Sequence, residues 1–226
     1  MKTLFIALTL ATNLSLAAEC SDKAENKKDY WEAARCHYNK KDHKAAAGWL
    51  QKLMTAHPSE WTAYPMAAWL FHEASKKEQN RERLILEQKA EKTILEGYKY
   101  FSDSWIYLRE MGDFYRLRMG SAIKSQIYYE EAVKYSDGNN EVNSATRVQK
   151  AALLDRLARN SQELGRVGDA VKASCMAIRL DPKDKMAEKR IKALAGNCTR
   201  KLGLEEPKDA SVNPESSPKP DEAKGR

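Results

Sequence analysis

The sequence predicts an all-α chain, and three observations carry that expectation. From about Lys27 to Leu202, helix-length amphipathic stretches alternate with short polar breaks. Glycine or proline stands at several of those breaks, at Pro58, Gly120, Gly138, Gly165 and Pro182, where special backbone freedom or a missing N–H ends a helix. No run of alternating β-branched residues reads as a strand.

The N-terminal segment MKTLFIALTLATNLSLAAEC has the order of a secretory leader. Lys2 supplies the positive charge, Leu4 to Leu10 forms an apolar core too short to span a bilayer, and small residues gather at Ser15, Ala17 and Ala18. We expect residues 1–18 to be a signal peptide, cleaved after Ala17 or Ala18, and the mature chain to be periplasmic or secreted. Glu19 stands where a lipobox needs a small residue before the cysteine, so lipidation of Cys20 is not expected. No later stretch approaches the roughly 20 apolar residues of a spanning helix, which leaves peripheral association as the only expected membrane contact.

Residues 19–202 are expected to form one folded repeat domain, and 203–226 a disordered tail. The tail is rich in Pro, Ser and charge and has too little apolar surface to offset its ordering entropy. Its six acidic and four basic residues oppose the formal net charge of +7, so the cationic excess sits on the folded part. That excess favours acidic partners or an anionic surface. No glycine-rich phosphate loop, RNA-binding aromatic motif or zinc-finger spacing accompanies it, and nucleic acid is not an expected partner.

One spacing recurs along the chain. A large apolar residue is followed three positions on by an apolar residue, then a small one, and three further on by an aromatic. Trp31, Ala34, Arg35 and Tyr38 occupy these slots first, with Ala46, Leu50 and Pro58 behind them; Arg35 departs from the small slot. Tyr64, Ala67, Ala68 and Phe71 follow, with Ala90 and Ile94, and Pro65 either kinks or starts that helix. Leu108, Met111, Gly112 and Tyr115 come next, with Ser125, Tyr129 and Ala132. Leu154, Leu157, Ala158 and Ser161 close the series, with Gly165, Ala170, Ala177 and Pro182; Ser161 departs from the aromatic slot.

This pattern resembles the tetratricopeptide repeat (TPR), a helical hairpin whose small residues let two antiparallel helices nest. The resemblance implies a helical-hairpin repeat stack of about four helix pairs. Repeat starts at 31, 64, 108 and 154 are 33, 44 and 46 residues apart. Against the usual period of about 34, the longer intervals imply extended helices or an added turn, around Lys76–Arg83 and again around Asp137–Thr146. Lys185–Leu202 reads as a C-terminal capping helix, with Met186, Ile191, Leu194 and Ala195 covering the last repeat and the basic residues in water.

Four cysteines behind a leader allow three disulfide pairings. Cys20–Cys36 and Cys175–Cys198 are favoured, because each closes a short loop between segments placed side by side. No C-x-x-C is present.

Chemistry of a catalytic kind is not legible. His37, His43, His57 and His72 lack the paired spacing of a helical metal site, and no nucleophile elbow appears, so neither metal nor cofactor is expected. Asn197-Cys198-Thr199 matches a glycosylation acceptor, which we read as chance. The chain is therefore expected to be no enzyme. The alternative is an all-helical enzyme acting on cell-wall glycan, since two carboxylates from different helices can meet in a groove.

The resemblance implies a protein or peptide partner held on the concave surface lined by the first helix of each pair. Positions one, five and eight after each leading apolar residue point inward, giving Glu32, Trp69, His72, Arg109, Asp113, Arg116, Asp155, Arg159 and Gln162. Arg109, Arg116 and Arg159 offer forked donors to carboxylates and Trp69 an apolar anchor. Asp113 and Asp155 are equally placed to pair with those arginines within the groove.

Overall fold

The computed structural model describes residues 20, 22–137, 146–194 and 198. The expected leader over 1–18, the tail over 203–226, the stretch 138–145, and Asn197 and Thr199 of the acceptor triplet lie outside the described residues.

Nine helices appear among the described residues: α1 (Lys27–Asn39), α2 (His43–Ala56), α3 (Ala63–Ser75), α4 (Asn80–Phe101), α5 (Trp105–Leu117), α6 (Ala122–Tyr135), α7 (Arg147–Glu163), α8 (Val167–Leu180) and α9 (Lys185–Ala193). No strand occurs among them. The four repeat starts fall on α1, α3, α5 and α7.

Local chemistry sets the helix ends. Asn26 with Asp29, and Thr146 with Gln149, form capping boxes that satisfy orphan N–H groups reciprocally. Asp42, Ser104, Ser121 and Asp184 each accept from a first-turn N–H, a contact worth about 0.5–2 kcal/mol. Gly120 and Gly165 adopt φ of +62° and +71° after α5 and α7, a left-handed conformation that a Cβ would strain. Pro65 sits in the first turn of α3, where its missing N–H leaves no hydrogen bond unmade.

The extended interval before the third repeat resolves into one long helix. The break spans only residues 76–79, and α4 then runs for 22 residues. Before the fourth repeat, α7 begins at Arg147, seven residues ahead of Leu154, and runs for 17 residues.

The described residues form two compact units that divide between Ile94 and Leu95, inside α4. In unit 1, α1 packs on α2 and α2 on α3. Ala46, Ala47, Leu50, Leu53, Ala67 and Ala68 are fully buried there, the small residues permitting close helix approach. In unit 2, α5 packs on α6, α6 on α7, α7 on α8 and α8 on α9. Its core joins Trp105, Leu108, Tyr129 and Ala132 to Leu153, and Leu154, Ala158, Ala173 and Ala177 to Ala187. Gly112 lies so close to the Tyr129 ring that an added Cβ would collide with it.

The capping helix departs from expectation. Met186 is 57% exposed, while Ala187 and Arg190 face inward. The cause is electrostatic: Arg190 is drawn in by Asp155, at 2.7 Å, and by the Ser174 hydroxyl, at 3.3 Å. Each unit carries one disulfide, Cys20–Cys36 in unit 1 and Cys175–Cys198 in unit 2. Closing loops of 16 and 23 residues, each stabilises the fold by about 3 kcal/mol on chain-entropy grounds.

Candidate functional site

Unit 1 contains an apolar cleft of about 690 Å³. One wall is the α1 face that repeats every three to four residues: Lys28, Trp31, Glu32, Arg35 and Tyr38. Met66, Trp69 and Leu70 of α3 form the other wall, and Leu50 of α2 the floor. Tyr38 meets Trp69 at 5.7 Å between ring centroids and stacks on His43, outside the lining, at 5.8 Å. Tyr38 and Met66 are each 43% exposed, which leaves large apolar side chains facing water within a concave surface.

The charges around this cleft are unevenly matched. Lys28 and Glu32 lie 3.6 Å apart, one turn from each other, and compensate in charge. Arg35 is exposed and makes no ion pair or side-chain hydrogen bond among the described residues. It fills the slot that the later repeats give to Ala68, Gly112 and Ala158, all buried.

Unit 2 holds a smaller cleft of about 350 Å³ with a different character. Asp113 and Arg116 of α5 and Asp155, Arg156 and Arg159 of α7 line it, beside Asp184 and Met186. Its ions are tied to one another. Asp113 accepts from Arg156 Nε at 3.1 Å through both oxygens and from the Tyr129 hydroxyl at 2.6 Å. Asp155 accepts from Arg159 and Arg190, each at 2.7 Å. Arg116 grips Glu163 through two nitrogens, and that hydrogen-bonded pair lowers the Glu163 pKa and raises that of Arg116. Burial, then the Asp113 carboxylate, pushes the Tyr129 phenol well above its ordinary range. Among the described residues, no group of three or more His, Cys, Asp or Glu is arranged to hold a metal ion.

The residues expected to point inward thus fall in different settings. Glu32 and Trp69 line the unit 1 cleft, and Asp113, Arg116, Asp155 and Arg159 line that of unit 2. His72 is buried in α3. Arg109 is half-buried over the Trp105 ring, 5.7 Å from its centroid, and pairs with Glu110. Gln162 is exposed on the last turn of α7.

No protein-family model matches the sequence, and no curated protein matches it. Among solved structures, a thermophilic TPR protein of Thermus thermophilus aligns over 76% of this chain and 82% of its own, with a TM-score of 0.54 and 16% identity. The fold is TPR-like. Helix pairs that pack consecutively within each unit, with no strand among the described residues, form an all-α helical repeat stack of that kind.

Against the TPR-like template, sequence reasoning missed three contributors. His43, at the first position of α2, packs on the cleft residues Tyr38 and Trp69, and nothing in its neighbours signals that. Arg156, rather than an arginine of the inward positions, holds Asp113. Arg35 alone carried a signal, because it broke the template.

Proposed function

We propose that the chain is an exported TPR-like interaction module that holds a segment of a partner protein in the unit 1 cleft, as an adaptor or assembly factor of the cell envelope. The observation that carries this reading is the cleft itself. Trp31, Tyr38, Met66 and Trp69 offer apolar surface at a concavity open to water, and aromatic anchors in such pockets dominate interface energies. The leader-like N-terminus and two disulfides support an oxidising, extracytoplasmic setting. No helix among the described residues is long and apolar enough to cross a membrane.

The unit 2 cleft supports a structural role better than a second docking or catalytic one. A pair of carboxylates used for glycan cleavage needs oxygens available to substrate and water. Those of Asp113 and Asp155 already accept from Arg156, Tyr129, Arg159 and Arg190.

A photo-crosslinking amino acid placed at Met66 in the producing cell tests the docking reading. The expected result is a discrete crosslinked partner from position 66 and none from position 162, which is exposed on unit 2. The same adducts from both positions, or none from 66, would overturn it.

A further inference from the structure

Three repeats place a small, buried residue in the slot after the second apolar position, and one places an arginine there. A guanidinium cannot enter a helix interface unpaired, since burying an uncompensated charge costs several kcal/mol. Arg35 therefore keeps that position open to water, and the cleft lies where α1 presents it, between Trp31 and Tyr38 along the same face. Lys28 and Glu32 are matched in charge at the same rim, so among the described residues Arg35 is the uncompensated cation of the cleft.

We infer that Arg35 is a specificity-determining residue, and that the segment held in the cleft carries an aspartate or glutamate about one helical turn from a large apolar side chain. The inference rests on the docking reading above and deepens it. The apolar side chain enters between Trp69, Met66 and Leu50, and the carboxylate meets the Arg35 fork at the rim. Covering the cleft removes water from around that fork, which strengthens a charge-assisted pair that is weak when fully exposed. A neutral or basic neighbour leaves Arg35 dehydrated without a partner, so the site rejects it as well as preferring the acid.

The test is selection of random 12-residue displayed peptides on the full chain, in wild type and in the Arg35→Glu and Trp69→Ala variants. Arg35→Gln is a neutral control, and thermal unfolding checks that each variant folds. Wild type is expected to enrich peptides with an aromatic or large aliphatic residue and an Asp or Glu within four positions. Arg35→Glu should enrich Lys or Arg instead and weaken the wild-type peptide at least tenfold. Changing that peptide's acid to lysine should restore binding to Arg35→Glu. Enriched peptides that depend on Trp69 but lack acidic preference and ignore Arg35→Glu would overturn the inference while leaving the docking reading intact. If no Trp69-dependent peptide is selected, the docking reading falls with it. So it does if sedimentation shows a dimer dispersed by Met66→Glu, which would put a second copy in the cleft, or if a lipid co-purifies there.

Discussion

Arg35 in unit 1 and Ser161 in unit 2 each stand where the repeat template asks for another kind of residue, yet their surroundings are opposite. Around Arg35 the α1 face stays open, and apolar side chains line a concavity that the described residues do not fill. Around Ser161 the chain is closed. Its hydroxyl accepts from Gln126 at 3.0 Å, and Gln126 in turn accepts from Asn160 at 2.8 Å, all three side chains being buried. A small hydroxyl in place of an aromatic ring leaves room for an amide to reach across from α6, and Ser161, Gln126 and the Asn160 amide nitrogen hydrogen-bond to one another. The same contrast holds for the charges. Unit 2 ties Arg116, Arg156, Arg159 and Arg190 to its own carboxylates, whereas Arg35 of unit 1 has no such tie among the described residues. A departure from a repeat template thus marks either a binding surface or an internal lock, and the partner groups within reach decide which.

The largest expected break in that comparison comes from Asp155. Replacing it with alanine strands Arg190, only 7% exposed, on the Ser174 hydroxyl alone. Loss of one partner from a buried ion pair costs about 3–5 kcal/mol, because a desolvated charge is left behind. Arg35→Ala in unit 1 removes no such tie, and an exposed substitution of that kind shifts stability by about 0.5 kcal/mol or less. Urea denaturation followed by circular dichroism measures both; equal losses for the two variants would remove the distinction between lock and open surface.

Two helical glycines sharpen the comparison at the level of packing. Gly48 in α2 has open space where a Cβ would stand, and Gly112 in α5 has the Tyr129 ring. Gly48→Ala should stabilise by about 0.5–1 kcal/mol through helix propensity alone. At Gly112 the same propensity gain is opposed by overpacking, typically about 1–3 kcal/mol. The ring has little room to retreat, since Tyr129 is fully buried and its hydroxyl is fixed on Asp113. Opposite signs in thermal unfolding are expected, and a stabilising Gly112→Ala would show that the nested α5–α6 contact is looser than described.

What was legible in the sequence was local. The turn glycines and the three-to-four-residue spacing act over a few positions, and they placed the four repeat starts on α1, α3, α5 and α7. What was not legible depends on partners far along the chain. Arg190 lies in a lysine-rich helix and reads as solvated, but Asp155, 35 residues earlier, pulls it inward and turns Met186 outward. The inward positions were likewise derived from a spacing rule that treats every repeat alike. The structure instead puts Glu32 and Trp69 in an apolar cleft of one unit and Asp113, Arg116, Asp155 and Arg159 in an ion-paired cleft of the other, and leaves His72, Arg109 and Gln162 out of both. His43 supports a wall of the first cleft without any local pattern, through a stacking contact with Tyr38 across the α1–α2 turn.

A modest effect is expected at the partly exposed Arg116–Glu163 pair of unit 2. Arg116→Gln removes the forked contact with Glu163, whose side chain is about half exposed, so solvent screening holds the loss to about 0.5–1 kcal/mol at neutral pH. The sign with pH follows from Glu163. Its folded-state pKa lies below the ordinary value of 4.5, held there by Arg116, so the contribution is present above that value and is lost as pH falls through the lowered one. Wild type and Arg116→Gln should therefore differ modestly at pH 7 and converge in acid, as read from urea midpoints across the range. Peptides selected on the unit 1 cleft should bind both proteins within a factor of about two. A large loss of binding in Arg116→Gln would mean that the ion-paired cleft takes part in recognition, and that a lock and a binding surface are not separate in this fold.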